Sequence, residues 1–345
     1  MRWRETSPVH RSEITIDLGA VRHNARRLLE ALEGAELWAV VKANGYGHGA
    51  TNVARAAVDA GASALCVVTV AEAVELRREL PEARIIVMCP TDELAEAREA
   101  RLELVVSVSG EIPEGIPVHL KLDTGMGRWG LAELPPPPAN VVGLMSHLAT
   151  ADTDPAFARQ QIERFREATE PYPHLTRHIA NSAAALQLPD ARFDAARCGI
   201  ALYGISPFNT DPTEHDLRPA LSWRSRLARV FLLPPGESTG YGRRFVAERP
   251  TWIGIVPVGY ADGFRRDMSG TQVLVAGEPR GAVGTVSMDA VAVELDRELP
   301  VGTPVTIVGD GLLIERHAWV AGTIGYEIAC GINSHPARAR RVVVD

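Results

Sequence analysis

Eight short apolar runs recur through the first part of the chain: LWAVV (37–41), ALCVV (64–68), RIIVM (84–88), ELVV (103–106), PVHLKL (117–122), VVGLM (141–145), LTRHI (175–179) and DAARC (194–198). Between them, apolar positions recurring with the period of a helix mark amphipathic segments over 50–60, 71–80, 92–101 and 155–169. Near-continuous apolar strands alternating with amphipathic helices are the pattern of a parallel sheet covered by helices. Eight such units predict an α/β fold of the (β/α)8 barrel type, with its chemistry at the C-terminal strand ends; a doubly wound open sheet is the structural rival. Upstream, DLGAVRHNARRLLEALE predicts a helix with Asp17 as N-cap and Leu18, Val21, Ala25, Leu28, Leu29 and Leu32 on one face. PPPP at 135–138 reads as an extended surface loop.

After about residue 217 the texture changes. TWIGIVPVG, TQVLVAG, AVAVEL, TPVTIVGD and RRVVV are strand-like runs separated by Gly, Pro and Asp turns, which predicts a second, mostly β domain. The expected division is a barrel over 12–217 and a β-domain over 218–345, with residues 1–11 an N-terminal arm associated with the latter.

Composition narrows the function classes. A chain of 345 residues has room for a barrel and a smaller domain, and with 46% apolar and 23% charged residues it has ample material for a core. The formal net charge of −7 offers no general attraction to nucleic acid or to an anionic membrane surface, so a small metabolite is the expected partner. Cys66, Cys89, Cys198 and Cys330 are scattered without a C-x-x-C pair, which favours free thiols in a reducing cytoplasm over disulfides or a metal site. The start, MRWRETSPVHRSE, has no apolar signal-like core, and no later run has the length of a membrane span. A cytoplasmic protein without a metal is expected.

Two residues stand out chemically. Lys42 and Lys121 are the only lysines among 36 basic side chains, and a guanidinium cannot serve as a nucleophilic amine. If LWAVV is the first barrel strand, Lys42 leaves its C-terminal end and NGYGHG forms the following loop. Lys121 and Asp123 then follow the fifth strand, His147 the sixth, Asn181 and Ser182 the seventh, with Arg197 and Gly199 at the eighth. All fall on the barrel's functional face. Lys42 has two candidate roles there, a phosphate-binding cation or a Schiff-base amine. NGYGHG lacks the order of a phosphate-binding P-loop. A Schiff base calls for a carbonyl cofactor, a partner for its ring nitrogen and a phosphate cradle; backbone amides of RCGIALYG with Ser182 suit the cradle, and Arg197 is placed to face a ring.

The motifs VVKANGYGHG, KLDTGMGRWG, SHLATAD, ANSAA, RCGIALYG, GYGRRF, VGYADGFRR, SMD and GYEIACGI, in this order from about Ile14 to Ile332, closely resemble bacterial alanine racemases. The resemblance implies a pyridoxal 5'-phosphate-binding barrel followed by a β-domain, in a homodimer with active sites shared between subunits. It implies that Lys42 carries the cofactor and that Tyr46, Ser182, Gly199, Ile200 and Tyr326 hold its phosphate, with Asn181 beside them. Arg197 matches the arginine facing the pyridine nitrogen, with His147 behind it. Racemisation needs proton removal on one face of Cα and delivery on the other, and the matching pair of opposed bases is Lys42 and Tyr241 of the partner subunit. Arg128 matches the arginine near the substrate carboxylate, Met288 and Asp289 the carboxylate-side loop of the other subunit, Tyr260 an entrance residue, and Lys121 a lysine often carbamylated in the family. The implied substrate is alanine, with D-alanine destined for peptidoglycan.

Blander roles stand beside these. Tyr241 fits a turn tyrosine, and His48 and Asp262 fit loop-fixing residues without a chemical role. Gly45, Trp129 and Ser287 stand where the family commonly has alanine, leucine and cysteine, and Trp129 bears on the packing behind Arg128. The competing functions are a basic amino-acid decarboxylase, whose cysteine motif is missing, a non-catalytic cofactor carrier, which resembles the barrel alone, and a racemase for serine or a broader range of amino acids.

Overall fold

The computed structural model describes residues 11–345, so nearly all of the expected N-terminal arm lies outside the described residues. The chain forms two compact units, Leu18–Arg218 and a second one in which the start of the chain joins Pro219–Asp345. Strand β1 (Glu13–Asp17) begins the described secondary structure, followed by helix α1 (Leu18–Leu32).

The first unit is a closed barrel of eight parallel strands: β2 (Glu36–Val40), β3 (Ala64–Val67), β4 (Ile85–Val87), β5 (Glu103–Val106), β6 (Val118–Lys121), β7 (Val141–Met145), β8 (Thr176–His178) and β9 (Ala195–Cys198). Every apolar run of the sequence reading supplies one of them. Closure comes from β2 pairing with β9, in the register Glu36↔Ala195 to Ala39↔Cys198. Helices α2 (Ala50–Asp59), α3 (Val70–Glu79), α4 (Leu94–Glu99), α5 (Pro155–Thr169) and α6 (Ser182–Gln187) connect the strands. No helix forms between β5 and β6 or between β6 and β7, where the chain runs through the loops 107–117 and 122–140. The second of these carries the four prolines, which fix φ and supply no N–H for a helix.

On α1, Val21, Ala25, Leu28 and Leu32 face the interior as the pattern predicts, whereas Leu18 and Leu29 are half-buried and Asn24 takes an inner position. Asn24 is fully buried and fastens the end of the unit: Nδ2 donates to the carbonyls of Leu202 and Arg218, and Oδ1 accepts the Arg218 N–H at 2.7 Å.

The second unit is built on ten further strands: β10 (Leu221–Arg226), β11 (Arg229–Leu233), β12 (Ser238–Thr239), β13 (Phe245–Val246), β14 (Thr251–Val256), β15 (Gln272–Val275), β16 (Glu278–Val283), β17 (Val291–Leu295), β18 (Pro304–Val308) and β19 (Arg340–Val344). Nine strands form one sheet in the order β11-β14-β17-β16-β15-β18-β10-β1-β19, while β12 and β13 make a separate hairpin. All neighbours in the large sheet are antiparallel except β1 and β19. Two helices, α7 (Ile314–Ala321) and α8 (Gly325–Gly331), complete the unit. Strand β1 therefore hydrogen-bonds within this sheet, although the sequence reading starts the barrel at Ser12. Its alternation gives the reason: Ile14 and Ile16 are fully buried between outward neighbours, the signature of a sheet with one covered face.

Among the described residues no helix is long and apolar enough to cross a membrane. Cys66 and Cys198 are buried, Cys89 is half-buried and Cys330 exposed, and all four are free thiols.

Candidate active site

The segment after β2 departs from ordinary backbone. Lys42–Tyr46 forms a single helical turn in which Ala43, Asn44 and Gly45 have φ of 52°, 50° and 62°, and Tyr46 has φ of 51°. Left-handed backbone costs a residue with a side chain about 1–2 kcal/mol, so Ala43, Asn44 and Tyr46, in a run of four left-handed residues, must be held by their contacts. Several contacts do so. The Gly45 N–H donates to the Val41 carbonyl, the Gly47 N–H to Ala43, and the Ala43 N–H to Oε1 of Glu72 at 2.7 Å. Glu72 also forms a capping box with Thr69 at the start of α3, so one carboxylate ties the lysine turn to that helix. Asn44 Oδ1 accepts the N–H of Ala50, and His48, fully buried, contacts the Tyr46 carbonyl through Nδ1 at 2.9 Å.

Tyr46 and Ser182 converge on the segment after β9. The Tyr46 ring packs on Tyr203, whose hydroxyl donates to the Val40 carbonyl. A Cβ placed on Gly199 would lie 2.5 Å from the Tyr46 hydroxyl oxygen, so only glycine lets the phenol settle there. Ser182 Oγ accepts the N–H groups of Gly199 and Ala201 at the start of the short helical turn Ile200–Tyr203. Asn181 is occupied structurally, its side chain capping α6 through the Ala184 N–H.

Arg197 on β9 is 4% exposed. Nη1 donates to Nδ1 and the carbonyl of His178, and Nη2 to the carbonyl of Ser146 and to Nδ1 of His147. Nε makes no hydrogen bond among the described residues, which leaves one N–H of a fixed guanidinium available to a ligand. Burial pulls Arg197 down to about 10, still a cation at neutral pH. His147 is held well below its ordinary value by burial and then by Arg197, Lys121, Arg128 and Lys42, so it is neutral and accepts from Arg197. Four cationic side chains therefore act electrostatically on one imidazole.

Lys121 ends β6 and is 5% exposed; burial, followed by Arg197 and Arg128, lowers it to about 8. Asp123 accepts the N–H groups of Gly125, Met126 and Gly127, shaping the loop that leads to Arg128. The Arg128 guanidinium lies 5.5 Å from the centre of the Trp129 ring, so Trp129 forms a platform for it.

The remaining expected residues belong to the second unit. Tyr241 projects from the β12–β13 hairpin, 72% exposed, in a turn with Gly240 and Gly242 at φ of 78° and 73°. Tyr260 and Met288 are exposed. Their loops are joined, because the N–H groups of Tyr260 and Ala261 donate to the carbonyls of Ser287 and Met288. Asp262, 2% exposed, accepts from the Gly259 N–H and from Arg338 Nε, and Arg338 Nη2 donates to Asp289. Tyr326 lies in α8. Sequence reasoning missed Glu72, Arg338, and the barrel-filling His119 and His178; for the histidines the available signal was a polar residue at an inward position of an apolar strand run.

Models of the alanine racemase N-terminal domain and C-terminal domain match residues 16–207 and 220–342. The chain is 40% identical to the alanine racemase of Streptomyces coelicolor, with 97% of each chain covered, and 39% identical to alanine racemase 1 of Bacillus subtilis, covering 96% of this chain and 94% of that one. The crystal structure of alanine racemase from Streptomyces lavendulae superposes with a TM-score of 0.89 at 36% identity, covering 99% of this chain and 98% of that one. The Bacillus anthracis enzyme, solved with bound L-Ala-P, superposes with a TM-score of 0.84 at 30% identity, covering 99% and 96%.

Proposed function

Because the chain belongs to the alanine racemase family of isomerases, we propose that it interconverts L- and D-alanine using pyridoxal 5'-phosphate carried on Lys42, with Lys42 and Tyr241 of a second copy as opposed bases. The observation that carries this reading is the guanidinium of Arg197, fixed on four sides with its Nε–H left over, in a mouth where Lys42, Lys121 and Arg128 add three more cations. Such a mouth suits a ligand that brings a phosphate, a phenolic oxygen and a substrate carboxylate. The pocket floor also fits the group: glycine at 199 keeps the Tyr46 hydroxyl against the backbone, and Ser182 gathers the amides of Gly199 and Ala201 where a phosphate would take them. Ile200 and Tyr326 complete the proposed phosphate set, with Asn181 holding α6 beside it.

When bound, pyridoxal phosphate supplies an aldehyde that condenses with an amine and a conjugated ring that accepts the electron pair left as the Cα–H bond breaks. Arg197, a donor that keeps its own proton, would hold the ring nitrogen without protonating it, which would limit how far negative charge spreads into the ring. The Lys42 amine takes or returns the Cα proton on one face and the Tyr241 phenol does so on the other, Lys42 serving the D-enantiomer and Tyr241 the L-enantiomer. Arg128, with Met288 and Asp289 of the second copy, orients the substrate carboxylate. Tyr260 stands at the entrance. The exposure of Tyr241, Tyr260 and Met288 in the single chain supports their burial by a partner copy. We assign Lys121 to carbamylation by carbon dioxide, a reaction open to its lowered amine, and the resulting anion to positioning Arg128. The protein is assigned to the cytoplasm, with D-alanine supplied to peptidoglycan.

The test is borohydride reduction of the purified protein followed by peptide mapping, together with a D-alanine-coupled assay on alanine and serine. Label on Lys42 and turnover of alanine are expected. Absence of the adduct defeats the cofactor assignment. Tyr241→Phe should impair deuterium exchange at Cα unequally from the two enantiomers, and equal rates in the variant would remove Tyr241 as a base.

A further inference from the structure

Barrel interiors of this kind are normally filled by branched apolar side chains. Here a file of polar groups crosses the interior beneath Arg197. Arg197 Nη1 lies 2.7 Å from His178 Nδ1, His178 Nε2 lies 2.9 Å from His119 Nδ1, and His119 Nε2 lies 2.8 Å from Glu103 Oε2. Arg84 clamps Glu103 from the far side with two hydrogen bonds, Nε to Oε1 at 2.7 Å and Nη2 to Oε2 at 3.0 Å. Both histidines are fully buried, and Glu103 opens β5 at the opposite rim from the lysine turn.

The two ends dictate the direction of every proton between them. Arginine can only donate, so His178 must present a lone pair at Nδ1 and keep its proton on Nε2. His119 must then accept at Nδ1 and carry its own proton on Nε2, which needs an acceptor, and the carboxylate of Glu103 can only accept. We propose that Glu103 is a positioning residue for Arg197, acting through a one-way hydrogen-bond relay in which His119 and His178 are both neutral and both protonated on Nε2. The surroundings are built for it. A Cβ on Gly143 would fall 2.2 Å from His119 Nδ1, so glycine in β7 makes the space for this ring. Trp38 walls the other side, its ring centre 5.6 Å from that of His119 and 4.4 Å from that of His178. The relay also places a carboxylate in line with a buried guanidinium that has none in direct contact, and it leaves Nε–H as the donor without a hydrogen bond among the described residues. Burial holds both imidazoles below their ordinary value, in keeping with neutrality. The tautomers follow from this chain alone; only the consequence for binding rests on the cofactor reading above.

The experiment is ring-nitrogen NMR of the full chain labelled with 15N-histidine, recorded before and after addition of pyridoxal phosphate, on the wild type, Glu103→Gln and Glu103→Met. Expected in the wild type is the neutral Nε2–H form at both rings; an imidazolium or an Nδ1–H tautomer at either overturns the relay. Glu103→Met removes the terminal acceptor and should shift the His178 signals, two links away, and weaken pyridoxal phosphate binding about tenfold, with a smaller loss in Glu103→Gln, which keeps an acceptor. A folded Glu103→Met chain with wild-type His178 signals and wild-type affinity overturns the positioning role. If that variant fails to fold, the wild-type tautomers and Glu103→Gln decide, because a Glu103→Gln chain with unchanged His119 and His178 signals and unchanged affinity also overturns it. Failure of the wild type to bind pyridoxal phosphate would defeat the cofactor reading and leave the tautomers to be judged on the unloaded chain.

Discussion

Lys121 gives the sharpest energetic prediction. It is 5% exposed, and burial, then Arg197 and Arg128, bring its ammonium from an ordinary 10.5 to about 8. That drop corresponds to about 3 kcal/mol set against the charged form in the folded chain. The unfolded chain binds the proton more tightly, so the penalty is complete below pH 8, shrinks as pH rises from 8 to 10.5, and is absent above. Lys121→Met keeps the length of the side chain and removes the charge. In carbon-dioxide-free buffer near pH 7 it should therefore raise the unfolding free energy by up to about 3 kcal/mol, an advantage that fades toward pH 10. For a unit the size of this barrel each kcal/mol moves Tm by roughly 2–4 °C, so differential scanning calorimetry should resolve the change. Carbamylation would replace the ammonium by an anion among two arginines and lift the same penalty. Added bicarbonate is thus expected to raise the Tm of the wild type and leave that of Lys121→Met unmoved. Equal stability of the two chains at pH 7, or equal responses to bicarbonate, would refute the reasoning.

Three further substitutions probe separate parts of the site. Gly199→Ala puts a methyl group 2.5 Å from the Tyr46 hydroxyl, and because the Tyr46 ring rests on Tyr203 it cannot simply withdraw; pyridoxal phosphate affinity, read by fluorescence titration, should fall about tenfold or more, and wild-type affinity would count against the cradle. Glu72→Ala removes the acceptor for Ala43 N–H and the capping box together, costing about 1–3 kcal/mol locally, so amide exchange at Ala43 should accelerate while the β-domain is unaffected. Arg338→Leu removes the closer of the two arginines, Arg338 and Arg11, that bridge the buried Asp262 to Asp289, and should raise KM for alanine several-fold with a smaller loss of kcat, the split expected if the Met288–Asp289 loop binds the substrate carboxylate.

The barrel was legible because strands buried on both faces leave continuous apolar runs, and each of the eight runs became a strand. The candidate site was legible where a residue type is scarce: Lys42 and Lys121 stand out in an arginine-rich chain, and both act, with Arg197 and Arg128, on His147. Strand β1 was harder, since its partners β10 and β19 lie about two hundred and three hundred residues away and no local pattern records such pairings. The left-handed turn at Ala43–Tyr46 was illegible for a related reason. Gly45 and, more weakly, Asn44 hint at unusual φ, but Ala43 and Tyr46 have no preference for it, and the turn is held by Glu72 and by neighbouring carbonyls. His119 and His178 were visible only as polar residues in apolar strands. Their meaning depends on Glu103, Arg197 and the space at Gly143, which three other strands contribute.

These features share a physical logic. The barrel accepts three left-handed side-chain-bearing residues, a buried ammonium and a guanidinium sealed from water, each of which opposes folding. None is needed to close eight strands. Each instead fixes a charge or an amine at the mouth before any ligand arrives, so the reorganisation that binding would otherwise demand has already been met in the folded chain. Glycine is the device that makes this possible at two places: at 199 it admits the Tyr46 hydroxyl to the backbone, and at 143 it admits an imidazole to the barrel core. Both positions tolerate no Cβ although neither has a left-handed backbone, so their constraint is the approach of a polar side chain and not conformational freedom. An enzyme that steers a proton between two faces of one carbon needs such rigidity, because a base displaced by an ångström serves neither face.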